Sequence, residues 1–220
     1  MQSFIDQWLP IFYEAIKDTF LMVAISLAFS VLIGIILAII LILTRPGQPL
    51  QNKFVYQFFN LLINVIRSIP FIILLFFMLP FTKFVVGTSI GVEGAIVPLV
   101  VNAAPYIARL IESSLLEVNQ GVIEAYRAMG VKTHHIIWNV MLREARPAIV
   151  LALTIATISL IGATAMAGLV GAGGLGDLAY RFGHLRYETD VMYVTVILLI
   201  IIVQGIQSIG NRLAARMKKD

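Results

Sequence analysis

Two stretches of this chain, Thr19 to Thr44 and residues 147 to 176, carry no charged side chain at all. About 20 consecutive apolar residues are enough for a helix to cross the hydrocarbon core of a bilayer. Three further stretches are apolar over comparable length, broken only by isolated polar groups. The pattern predicts spans at about 19–43, 57–80, 91–116, 147–168 and 191–211. The expected fold is therefore all-α, a polytopic membrane protein with five transmembrane helices, forming one domain over residues 1–220. Composition supports the class: the chain is 60% hydrophobic and only 13% charged, with a mean hydropathy of +0.94, which no soluble domain of this size shows. The net charge of +4 is no nucleic-acid footprint, because the basic residues are scattered at span ends rather than gathered on one face. With no cysteine there is neither a disulfide framework nor a thiolate metal site. No basic region followed by a cleavage site opens the chain, so no removable signal peptide is expected.

The longest polar interruption is the region 119–146, between the third and fourth spans. Asn119 can cap a short helix starting near Gln120, and Gly130 can end it by taking the left-handed conformation. Thr133 is expected to cap a second helix with Ile136, Ile137, Val140 and Met141 on one face. Pro147 suits the first turn of the helix that follows. The product is a helix-turn-helix on the membrane surface, open to a soluble partner or simply an amphipathic loop.

Other positions bear on how a solute would pass. Residues 1–18 read as a short interfacial helix with Trp8 and Tyr13 at headgroup level. Arg67 falls within the second span, where an arginine costs about 2.5–3.5 kcal/mol to insert, so it should face protein or water. It either lines the interior of a dimer and acts on an anionic group or a gate, or lies near the cytoplasmic end and snorkels, or pairs with Glu112. Pro70 should kink this helix or open its first turn. Pro98 and Pro105 suggest bends in the third span, and Arg109 can pair with Glu112 three residues on. Gly162, Ala163, Ala165, Ala167 and Gly168 make the second half of the fourth span narrow, as a dimer interface or closed gate requires. Met166 is the bulky, flexible side chain in that run, either a gate residue or ordinary packing. Gly171 to Gly176 formally matches a dinucleotide fingerprint but follows a membrane span rather than a strand, so a tight, pliable turn is expected. Residues 177–190 read as a polar loop, either a docking surface for a soluble partner or a plain solvated loop.

Five spans put the termini on opposite sides. Arg45, Lys53, Arg127, Lys132, Arg143, Arg146, Arg212, Arg216, Lys218 and Lys219 fall on one side, against Lys17, Lys83, Arg181 and Arg186 on the other. The positive-inside rule makes the first group cytoplasmic, with the N-terminus outside and the C-terminus and region 119–146 inside. No catalytic constellation emerges. His134 and His135 are adjacent and should diverge by about 100° on a helix, too far apart to share a metal. No glycine-rich loop carries Lys-Ser or Lys-Thr, so the chain is expected not to be an enzyme and to bind no cofactor or metal itself. Five spans are few to surround a solute path, whereas a second copy about a two-fold axis would supply ten.

Glu124-Ala125, Gly130, Val140 and Leu142 resemble the ATPase-docking loop of ABC-importer permeases. The chain departs from that loop at Tyr126, where the family has a second alanine, and at Arg143, where it has a proline that appears here only at Pro147. Further stretches are similar to the permease of the bacterial methionine ABC importer: Thr44 to Gln48, Ile66 to Ile73, Val86 to Gly91, Ile96 to Leu99 and Gly171 to Gly176. The similarity runs from about residue 18 onward. It implies a homodimeric inner-membrane permease bound to two cytoplasmic ABC ATPase subunits, which hold the ATP and Mg, and supplied by an extracytoplasmic methionine-binding lipoprotein. Methionine, the L and the D form, would cross by alternating access. Glu124, Ala125, Gly130, Val140 and Leu142 would be coupling positions, with Met166, Arg67 and Pro70 along the path. Another ABC-importer branch, carrying polar amino acids or another lipoprotein-delivered solute, is the alternative. An ion-coupled carrier is disfavoured because Glu93 and Glu112 lie near span ends and the span centres lack carboxylates.

Overall fold

The computed structural model describes residues 2–48 and 50–218, and among them every regular element is a helix. Met1 and Lys219, which figured in the reading of the termini, lie outside the described residues. Four helices are long and apolar enough to cross a membrane, and a fifth span results if one sharply bent pair is counted as a unit.

The first helix, α1 (Gln2–Thr44), is a single 43-residue rod, about 65 Å long. This corrects the separate interfacial helix expected over residues 1–18. Nothing breaks the helix at the polar boundary, because the Thr19 hydroxyl donates back to the Ala15 carbonyl at 2.9 Å and so sits inside the helix without interrupting it. Trp8, expected at headgroup level, is buried against protein, as is Phe12. With Ala15 they form one buried stripe under a cluster made by Leu175, Leu178 and Val191, and Phe182 meets the Trp8 ring edge-on at 5.1 Å. Tyr13, 70% exposed, does face outward.

The expected second span is two helices, α2 (Lys53–Ser68) and α3 (Phe71–Val86), bent by 108°. Asn52 caps α2 through its side chain, accepting from the Phe54 and Val55 amides at 3.1 and 3.2 Å. Proline disfavours the helical conformation of the residue before it, and Ile69 is extended (φ −86°, ψ 123°). Pro70 then starts α3, its carbonyl accepting from Ile73 and Leu74. Helix α3 ends at Gly87 (φ 84°), so Lys83 is helical rather than part of the expected loop.

Helix α4 (Gly91–Leu116) coincides with the predicted third span and is the centre of the bundle, touching α1, α2 and α3. Pro98 and Pro105 are buried within it, and it stays continuous. Its closest neighbour is α1, because Gly34 lets the backbones approach: a Cβ there would lie 2.7 Å from Ile107 Cγ2 and 3.2 Å from the Ala104 carbonyl oxygen. The main core runs through Leu75, Leu99, Ile107, Ile111 and Leu160.

After α4 come α5 (Gln120–Ala128), α6 (Thr133–His135), a π-helical stretch Ile136–Met141, and α7 (Leu142–Glu144). The long α8 (Arg146–Ala167) packs against α4. The chain then folds back as a short α9 (Gly174–Leu178) and a π-helical turn Ala179–His184, before α10 (Thr189–Met217) returns along α8. Most of α10 is open on the side away from the bundle, with Tyr193, Ile197, Ile200 and Ile201 exposed.

Residues 171–184 are therefore neither a pliable turn nor a solvated loop. Gly171, Gly173 and Gly174 all have positive φ near 80°, a conformation that costs other residues about 1–2 kcal/mol each. The segment they shape is locked down: the Leu175 amide donates to Thr19 Oγ1 at 2.9 Å, and buried Asp177 pairs with Arg181.

Candidate functional site

Helix α5 is built from its two ends. Asn119 Oδ1 accepts from the Gly121 amide at 2.8 Å, as the sequence led one to expect. At the other end Gly130 (φ 77°) turns the chain left-handed. Its amide reaches the Arg127 carbonyl at 2.9 Å, and the Val131 amide reaches Tyr126 at 3.1 Å. These are the paired bonds of a Schellman stop, which satisfy carbonyls that a helix end leaves orphaned. An added Cβ on Gly130 meets nothing within 4 Å, so the demand for glycine here is purely conformational. Gly130→Ala is expected to loosen this end by about 1 kcal/mol, seen as roughly fivefold faster hydrogen exchange at the Val131 amide. Unchanged exchange would show that the turn does not need glycine.

The second half of the region departs from expectation in one respect. Thr133 is the first helical residue rather than the cap; Lys132 takes the cap position, in extended conformation and without a side-chain bond. The predicted face is otherwise present: Ile136, Ile137 and Met141 are buried, and Val140 is half-buried against the same core. The π-helical winding of Ile136–Met141 brings these four inward.

The five expected coupling positions thus divide. Glu124, Ala125 and Gly130 are exposed, held by a helix whose buried anchor is Ile123. Val140 and Leu142 pack into the core and position the segment rather than present themselves. Around Glu124 the surface is apolar beyond what a solvated loop needs: Val122, Tyr126, Met129 and Trp138 are exposed, Met129 by 67%. Such a patch, rimmed by Glu124, Arg127 and Lys132, is the signature of a protein contact. The Arg127 guanidinium donates to Gln48 Oε1 at 2.8 Å, which places the α1–α2 loop and α5 at one end of the molecule. His134 and His135 do not diverge as expected; their rings lie 4.2 Å apart. Among the described residues no cluster of three or more His, Cys, Asp or Glu could hold a metal.

A second surface runs along α8. Leu151, Ile155, Ser159, Gly162 and Met166 are exposed at spacings of four, four, three and four, which is one face of a helix. Met166 is 48% exposed and stands at the end of this face farthest from α5. The small residues grouped with it in the sequence separate here. Ala163, Ala167 and Gly168 face inward, where Gly168 lies against the Asp177 backbone, while Gly162 opens outward with Met166.

Arg67 does not pair with Glu112 as one expectation had it. Glu112 is taken by Arg109, at 2.7 Å, and Arg109 also donates to Asn60 and, at 3.0 Å, to Asn64. Those bonds hold α2 antiparallel along α4, so Arg67, exposed in the last turn of α2, lies at the other end of that helix from Lys53. Its guanidinium sits over the Tyr106 ring, 5.8 Å from the centroid. Asn102, Tyr106 and Ser159, which line one cavity with it, escape a sequence reading, because isolated polar residues in apolar helices carry no spacing signal until three helices meet.

Comparison with known proteins gives one consistent answer. The family model described as "Binding-protein-dependent transport system inner membrane component" matches residues 30–219. The D-methionine transport system permease protein MetI of Escherichia coli (strain K12) is 47% identical over 161 residues, covering 73% of each chain. The methionine import system permease protein MetP of Bacillus subtilis (strain 168) is 46% identical over 172 residues, covering 78% of each. A solved chain of the MetNI methionine ABC transporter in an inward-facing conformation superposes with a TM-score of 0.94 at 44% identity, over 96% of this chain and 98% of that one.

Proposed function

Because this chain belongs to the binding-protein-dependent transport system inner membrane components, we propose that it is the permease subunit of an ATP-driven importer that carries methionine, L and D, across the bacterial cytoplasmic membrane. The observation that carries the substrate is the likeness to a methionine transporter chain across nearly the whole fold. Two copies of the chain enclose the path, with the open faces of α8 and α10 available to the second copy. Two ABC ATPase subunits bind at the α5 end and supply the ATP and Mg chemistry. An extracytoplasmic methionine-binding lipoprotein delivers the solute at the opposite end, where α9 and the N-terminal half of α1 lie. The N-terminus is outside and the C-terminus cytoplasmic, in keeping with the excess of Lys and Arg at the α5 end.

The mechanism follows from where rigid and mobile contacts fall. Closure of the ATPase dimer pushes on the exposed patch around Glu124. Val140, Leu142 and the buried isoleucines beside them pass that push into the core of α4 and α8 rather than letting the helices slide over it. The α8 faces of the two copies then separate or approach, changing access from one side to the other. Met166 closes the outer end of that face: it is long, flexible and apolar, and Gly162 one turn below leaves it room.

The test is uptake of labelled methionine into vesicles holding the chain with its ATPase, with ATP inside and binding protein outside. ATP-dependent accumulation is the expected result, and Met166→Ala should add a leak that does not require ATP. ATP hydrolysis stimulated only by another solute's binding protein would overturn methionine, and accumulation without ATP would overturn the importer.

A further inference from the structure

A packed bundle of membrane helices has little reason to gather polar groups around a void. Yet a cavity of about 270 Å³ opens where α2, α4 and α8 meet, with Arg67, Asn102, Tyr106 and Ser159 as its polar wall and Ala156 and Leu160 as its apolar one. It lies deep along the helices. Tyr106 is ten residues from the end of α4, about 15 Å, and Ser159 is thirteen residues into α8, about 20 Å. Ser159 also belongs to the open α8 face and stands two turns below Met166, about 10 Å along the helix.

The charge in this cavity is one-sided. Among the described residues the ion pairs are Arg109 with Glu112 and Arg181 with Asp177, and no carboxylate lines the void. A guanidinium stays charged in proteins and offers five N–H donors in a planar fork that fits a carboxylate. The Tyr106 ring, 5.8 Å away, steadies the cation without neutralising it. Arg67 is exposed into this opening, and among the described residues no carboxylate pairs with it, so an ionisable side chain on the face of a membrane bundle is left available to a solute.

We propose that this cavity is a transient binding site for the carboxylate of the amino acid in transit. The proposal rests on the importer reading above and adds the chemistry of a station on its path. Arg67 takes the carboxylate through paired N–H donors. Tyr106 and Asn102 line the same cavity and bring a hydroxyl and an amide able to donate to that group, with Ala156 and Leu160 as apolar wall for the side chain. The volume falls just below the usual range for drug-sized ligands, about 300–1,000 Å³, which suits a solute of single-amino-acid size. With one cation and no anionic counterpart for the ammonium group, the site holds its ligand loosely, as a translocation step requires. A phospholipid headgroup has the same anionic chemistry, and competition by phosphatidylglycerol against free amino acid separates the two.

The test uses the purified complex of this chain with its ATPase, without binding protein. It is exposed to a diazirine analogue of methionine, and separately to the carboxamide of that analogue, and cross-linked peptides are read by mass spectrometry. The acid is expected to label the peptides carrying Asn102–Tyr106 or Ala156–Leu160. Labelling should fall at least about tenfold for the amide and for Arg67→Gln, and recover in part in Arg67→Lys. Equal labelling by acid and amide, unchanged labelling in Arg67→Gln, or suppression by phosphatidylglycerol but not by free amino acid would overturn the site. Should Arg67→Gln fail to assemble, the acid–amide comparison in the parent decides. Competition by another amino acid but not by methionine would uphold the carboxylate site while overturning methionine as the cargo. Vesicle uptake of methionine with carboxylate-independent labelling would do the reverse.

Discussion

Glu124→Lys is expected to cut ATP-driven uptake by at least about a hundredfold and to leave the permease folded and inserted. The side chain is exposed and makes no hydrogen bond or ion pair with the described residues. A surface change of this kind usually alters stability by no more than about 0.5 kcal/mol. Its effect must therefore come through a partner. Reversing a charge inside a docked surface costs several kcal/mol, and each 1.4 kcal/mol is a factor of ten in binding. The exposed apolar residues around it, Tyr126 and Met129 above all, ensure that a bound partner desolvates Glu124 rather than leaving it in water. Uptake, stimulated ATP hydrolysis and thermal unfolding in detergent, measured side by side, check the point. Parent-like uptake would remove Glu124 from the coupling contact, and a collapse in unfolding temperature would assign it to the fold instead.

The second large effect is structural. Gly176→Ala should destabilise the chain by about 3 kcal/mol or more, at the upper end of what overpacking costs. A Cβ at that position would stand 2.2 Å from the Ala165 carbonyl oxygen and 2.4 Å from its Cα. Both obstacles are backbone and cannot rotate away. Relief requires the α9 segment to lift off α8, which breaks the Leu175–Thr19 bond and uncovers Trp8 and Phe12. Gly162→Ala is the matched control, since nothing lies within 4 Å of its added Cβ and alanine is the better helix former by about 1 kcal/mol. Thermal unfolding should separate the two in opposite directions. Equal unfolding temperatures for Gly176→Ala and the parent would mean that α9 is not held against α8 in the membrane.

The sequence made the skeleton legible where local chemistry decides. Helix α4 begins and ends at the predicted residues, and α5 has the predicted caps, because Asn119 and Gly130 act on the backbone within one turn. Contacts set by distant partners stayed hidden. A span that is apolar all round gives no sign of which face meets protein and which meets lipid, so the inward turn of Ala163 and Ala167 and the outward turn of Met166 could not be told apart. Glycine spacing suggested a pliable turn at 171–176, but the close approach of Gly176 to Ala165 comes from three-dimensional packing that spacing does not encode. The sequence offers Glu112 to both Arg67 and Arg109, and only the antiparallel packing of α2 on α4 decides for Arg109 and sets Arg67 over Tyr106. The continuity of α1 was missed because four charges before Thr19 look like a boundary, although nothing in them breaks a helix.

The break at Pro70 has a mechanical consequence. Among the described residues no backbone hydrogen bond runs from α2 across Pro70 into α3: the Ile69 amide turns back to Ile66, and the Ile73 and Leu74 amides close on Pro70 itself. Helix α2 is riveted to α4 by Arg109, whereas α3 is tied to the bundle through side-chain packing alone. The elbow therefore concentrates rotational freedom into the torsions of a single dipeptide. The α3 arm can swing without unwinding a turn, so the angle between the two changes at the cost of packing contacts of α3. The cation in the last turn before that elbow stays with α2 on α4 while α3 turns beside it.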